Sequence, residues 1–124
     1  FLIPILKEFR RVVNKDHGVM SHFIDMSDHF AHFDKSINIY NFLQFSDWQW
    51  QFIDNSIQPQ NRLRIDDYKQ IYADLNIPVS NVSYRSGDVK MLKTIQLAEK
   101  FQSQPLNEVA KSHCHFQSNM QSLN

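Results

Sequence analysis

Glycine is almost absent from this chain: Gly18 and Gly87 are the only two in 124 residues. A Gly-rich loop that closes backbone amides on a phosphate or an adenosine therefore cannot be built within it. Cysteine is scarcer still. Cys114 stands alone, which excludes an internal disulfide framework and fits a reducing, cytoplasmic setting. No apolar run approaches the roughly eighteen residues of a membrane span. Charge of one sign is not in excess, since 13 Lys and Arg balance 13 Asp and Glu; no nucleic-acid partner is expected.

Aromatic side chains, by contrast, are dense and unevenly placed. Phe30, Phe33, Tyr40, Phe42, Phe45, Trp48, Trp50 and Phe52 bring half of them into one stretch. The length suits one small domain with a core of its own. Leu2, Leu6, Phe9 and Val13 recur at helical spacing, and Gly18 can end the approach to the next element by adopting positive φ. Val19 to Ile24 then reads as a strand, apolar on both faces and so expected in the middle of a helix-flanked sheet. Residues 26–60 carry no clean period and read as an aromatic insertion or lid, with Ser46-Asp47 capping a helix from Trp48 to about Ser56. Asp66 is the expected N-cap of a helix with Tyr68, Ile71, Tyr72 and Leu75 on its inner face. A strand over Val79 to Ser86 follows, then one helix carrying Leu92, Ile95, Ala98 and Phe101. Residues His113 to Met120 form the last strand, and Gln121 to Asn124 are expected to fray.

The chemistry concentrates where the first strand ends, at Asp25, Asp28, His29 and His32. Open α/β sheets bind ligands at the carboxyl ends of their strands. A carboxylate or a neutral imidazole there can take a proton from a substrate nucleophile, and imidazole titrates near neutrality. The same side chains have a plainer use, capping the next turn and pairing with one another. They also have a competing one, since two imidazoles and two carboxylates could hold a metal for a hydrolase, although no firm ligand motif accompanies them. Tyr40, Phe42 and Phe45 suit either the core or an apolar cover over a substrate. Trp48 and Phe52, four apart, suit the inner face of a helix. Arg62 and Arg64 are placed to pair with a carboxylate such as Asp25 or to grip an anionic group. His113 and His115 share one face of their strand; Cys114 points to the other, as a core thiol.

The segment Glu8-Phe9-Arg10-Arg11-Val12-Val13-Asn14-Lys15-Asp16-His17-Gly18-Val19 resembles the "E-x-x-R-V-L-K-P-G-G" passage into the fifth strand of class I S-adenosylmethionine-dependent methyltransferases. Ser21-His22-Phe23-Ile24-Asp25, Asp28-His29-Phe30 and Asn61-Arg62-Leu63-Arg64 look like one branch of that family. The resemblance covers most of the chain. Its Pro-Gly-Gly turn is replaced here by Lys15-Asp16-His17-Gly18, with one additional residue.

The fold implied is α/β, the carboxyl-terminal half of a Rossmann-like sheet in strand order 5-7-6, its last strand antiparallel between the other two. The whole chain, 1–124, would then be one partial domain whose amino-terminal half lies upstream of Phe1, where the chain is already in helical phase. The resemblance further implies methyl transfer from S-adenosylmethionine to a small or medium-sized acceptor. His29 or His32 would act as base, with Asp25, Asp28, Tyr40, Phe42, Phe45 and Arg62 lining the acceptor side. The family's Gly-rich turn and acidic donor-binding residue have no counterpart here, so the chain alone is expected to be inactive. Two alternatives stay open: an interaction module or gene remnant without catalysis, and the metal-dependent hydrolase.

Overall fold

The computed structural model describes residues 1–123; Asn124, in the expected frayed end, lies outside the described residues. Helix α1 (Leu2–Val12) ends where Asn14 turns the chain. The Asn14 side-chain oxygen accepts the backbone N–H groups of Asp16 and His17, both at 2.9 Å. Gly18 is needed there for space and not for positive φ: a Cβ would collide with the Asn14 carbonyl and the Val13 side chain. Strand β1 (Val19–Asp25) follows, then two 3-10 turns at His29–His32 and Asn41–Gln44.

Helix α2 (Asp47–Ile53) starts at the expected Ser46, whose hydroxyl accepts from Gln49 N–H while the Gln49 side chain accepts from Ser46 N–H. Helix α3 (Ile65–Asp74) begins before Asp66, because the Asp67 carboxylate accepts the Arg64 backbone N–H at 2.8 Å. After β2 (Asn81–Arg85) the expected single helix is two short ones, α4 (Val89–Leu92) and α5 (Glu99–Gln102). The break has a cause: Ala98 is extended and donates its N–H to Leu43 O, a bond to another element that a continuous helix would forbid. Helix α6 (Leu106–Val109), strand β3 (His113–Asn119) and a 3-10 turn at Met120–Leu123 complete the chain.

The three strands form one sheet in the order β1-β3-β2, and β3 is antiparallel to both neighbours. The central strand is thus β3, whose residues alternate buried and half-buried. Strand β1, expected in the middle, takes an edge. Its apolar residues are divided between the faces: Met20 is buried, while Val19 and Phe23 stay exposed at 59% and 63%. Helices α1 and α3 cover one face only. There Leu6, Tyr68 and Tyr72 pack on Met20, Cys114 and Phe116, with Tyr72 edge-on to Phe116 at 5.0 Å between ring centres. The opposite face carries Ser21, Gln117, His115 and Ser83, the polar side of an antiparallel sheet open to water.

A second core lies beside the first. Tyr40, Phe42 and Leu43, from the stretch expected to be a lid, pack with Leu92, Leu97, Phe101 and Val109 from α4 to α6. Within residues 26–60, Ile39, Tyr40, Phe42, Leu43 and Trp50 thus contribute to a core. Trp48 and Phe52, expected inside, are instead exposed at 69% and 74% and stack edge-on against each other.

Candidate functional site

The sheet register builds the site. Asp25 is the last residue of β1, and it faces His113, the first residue of β3. His113 in turn faces Arg85, the last residue of β2. An acid, an imidazole and a guanidinium thus stand in a row across one end of the sheet, the end at which β1 and β2 finish.

Asp25 is the hub. Its Oδ1 accepts from Ser27 N–H at 2.8 Å and Ser27 Oγ at 2.6 Å, and it faces His113 Nε2 at 3.4 Å. Its Oδ2 faces His32 Nε2 at 3.4 Å and His29 Nε2 at 3.9 Å. The Ser27 contacts are hydrogen bonds; the three imidazoles lie just outside hydrogen-bond range, at distances where attraction is electrostatic. Burial pushes the Asp25 carboxyl upward. The two Ser27 hydrogen bonds and the charges of His113 and His29 outweigh that and hold it below the ordinary carboxylate range. At neutral pH the hub is an anion, suited to orient an imidazole that takes up a proton. The turn that presents His29 and His32 is short and locally specified, its two rings tilted at 5.9 Å.

Asp28 is not part of this hub. It is 1% exposed and caps the His29–His32 turn, accepting Phe30 N–H at 2.9 Å, with the Asn41 amide at 3.5 Å. Tyr40 and Phe42 belong to the second core. The Tyr40 hydroxyl donates to Ala110 O at 2.7 Å and accepts Asp88 N–H at 2.8 Å, and the whole side chain is buried away from any substrate. Phe45 is half-buried, stacked on Trp50 at 6.2 Å.

Arg62 pairs with Asp47 at 2.5 Å and not with Asp25. It also donates to the carbonyls of Phe42 and Phe45, and it lies over the Trp50 and Phe101 rings. Such an arginine is a strut between α2 and the second core, already committed. Arg64 is likewise internal: it donates to Met26 O at 3.0 Å and Lys111 O at 2.5 Å, and burial brings its pKa down to about 10. Cys114 faces the first core, where burial raises its thiol to about 11.

Of the residues read from sequence, the structure brings together Asp25, His29 and His32. It sends Asp28, Tyr40, Phe42 and Arg62 to structural work. Sequence reasoning misses His113 and Arg85 as members of the site. The shared face of His113 and His115 is visible in the alternation of their strand, but only the strand pairing puts His113 against Asp25. Among the described residues no group of three or more His, Cys, Asp or Glu is arranged to hold a metal ion, so the hydrolase alternative gains no support. Nor, among them, is any helix long and apolar enough to cross a membrane.

Gly18 is packed against Asn14 and Val13, and Gly87 against Ala110 and Tyr40. Comparison with known proteins finds no matching family model, no similar curated protein and no similar solved structure.

Proposed function

We propose that this chain is the acceptor-side half of a Rossmann-like methyltransferase domain, acting in methyl transfer from S-adenosylmethionine when joined to a donor-binding half. One observation carries the proposal above the rest: the last strand lies antiparallel between two strands that precede it, in the order β1-β3-β2. That is the 5-7-6 order the resemblance implies. Two further features support it. Strand β1 has no second neighbour among the described residues, and α1 leaves Ile5, Phe9 and Val12, at i, i+4 and i+7 on one side of the helix, exposed at 49%, 44% and 61%, a stripe that suits a partner surface.

Within such an enzyme, S-adenosylmethionine would supply an electrophilic methyl group. This chain's residues do the rest on the acceptor side. Asp25, fixed by Ser27, holds the imidazoles of His29, His32 and His113 at the carboxyl end of β1. One of these rings accepts the proton that the acceptor's nucleophilic atom gives up, and the Asp25 anion stabilises the imidazolium formed.

Isothermal titration with S-adenosylmethionine tests the proposal. The chain alone should show no heat of binding. The polypeptide extended by the coding sequence upstream of Phe1 should bind at micromolar concentration. Micromolar binding by the chain alone, or none by the extended polypeptide, would sink the proposal. The competing reading, a non-catalytic interaction module, draws on the same free β1 edge, and the second result would favour it.

A further inference from the structure

The open sheet face holds a second feature, which shares only His113 with the imidazoles around Asp25. At the end where β2 finishes, Phe23, Ser83, Arg85, His113 and His115 surround a shallow depression of about 230 Å³. The strand register places all five on the face turned away from the helices. We infer that this depression is a binding site for a small oxyanion, the carboxylate or phosphate group of a small molecule.

Arg85 is the main reason. Every other arginine of the fold has a polar protein partner: Arg10 bonds Asn76 O, Arg11 pairs with Glu8, Arg62 with Asp47, and Arg64 bonds two carbonyls. Arg85 is exposed, and its guanidinium contact is the Phe23 ring, 5.8 Å from the ring centre. Lying over an aromatic ring limits the head group's freedom without using its N–H donors, so the planar fork is left ready for an oxyanion.

Its neighbours line the same depression, with His113 Nδ1 turned to Ser112 Oγ and His115 Nε2 to Ser21 Oγ. His113 stands opposite Arg85, with its ring 5.6 Å from Phe23, and Ser83 stands opposite His115. Asp25, in the same row across the sheet end, is engaged by Ser27 and faces three imidazoles, and it forms no ion pair with Arg85. The volume admits an oxyanion and a few further heavy atoms. The site needs only the sheet described here, so it stands or falls independently of methyl transfer.

Nitrogen-edited NMR of the chain, following the arginine Nε–H and histidine ring signals, tests this at constant ionic strength. The probes are inorganic phosphate and acetate in separate titrations. Saturable shifts of Arg85, His113 and His115 are expected with at least one of them. Saturation by phosphate assigns phosphate monoesters as the ligand class, and saturation by acetate assigns carboxylates. Arg85→Gln should weaken the apparent affinity about tenfold or more, as loss of a charge-assisted bidentate contact does. Lys90→Gln, on an exposed residue of α4, should leave it unchanged. Shifts that stay linear in both probes, or equal affinity in Arg85→Gln and the parent chain, would overturn the inference.

Discussion

Asp25 joins the end of β1, the turn after it and the start of β3 through a single carboxylate. Because its folded pKa is held below the ordinary value, its contribution to stability is present above the unfolded carboxyl pKa of about 4 and is lost as pH falls through the folded one. Chemical denaturation at a series of pH values should therefore show the parent chain losing stability below about pH 4 more steeply than Asp25→Asn. Equal slopes would mean the hub does not favour the anion.

Arg64 offers a sharper case. Its two donated bonds satisfy the Met26 and Lys111 carbonyls in the interior. Arg64→Met leaves both unpaired and should cost about 3 kcal/mol in urea denaturation. Arg64→Lys should not restore it, since one ammonium lacks the fork that spans two acceptors. The Cys114 thiol, buried and shifted upward, should resist a disulfide reagent at neutral pH until the chain unfolds.

Elements with a local signal are legible in the amino-acid order alone. Ser46 and Gln49 carry the start of α2 in a capping box, and the Tyr68, Tyr72 pair carries the inner face of α3. Ser46→Ala should destabilise the fold by about 1 kcal/mol, measured by thermal unfolding. What is not legible is whatever depends on distant partners. The helix expected across Leu92 to Phe101 has the right period, yet it breaks because Leu43 accepts the Ala98 N–H. The aromatic stretch is ambiguous for the same reason: only the docking of α4 to α6 makes Tyr40 and Phe42 core, while Trp48 and Phe52 face water. Gly87 shows such a dependence in one residue. Its φ is +70°, and a Cβ would meet the Ala110 carbonyl and the Tyr40 hydroxyl. Gly87→Ala should cost at least about 2 kcal/mol, from left-handed strain and displaced contacts together.

Taken whole, the molecule is a three-stranded sheet with helices on one face and a second core at its side, the outer edge of β1 unpaired among the described residues. Three of the five residues of the candidate site lie within sequence reach, because Asp25, His29 and His32 are neighbours along the chain. His113 and Arg85 arrive from 88 and 60 positions after Asp25, through a register that no local pattern encodes. The proposal of a missing donor-binding half is most exposed to contradiction at the free edge of β1. In an antiparallel pair alternate residues of each strand turn their backbone groups away from the partner, so some β1 amides do not donate to β3. Hydrogen exchange of those amides should be fast in this chain and strongly slowed in the polypeptide extended upstream of Phe1, where a donor-binding half would pair with them. Exchange that is equally fast in both would contradict the proposal.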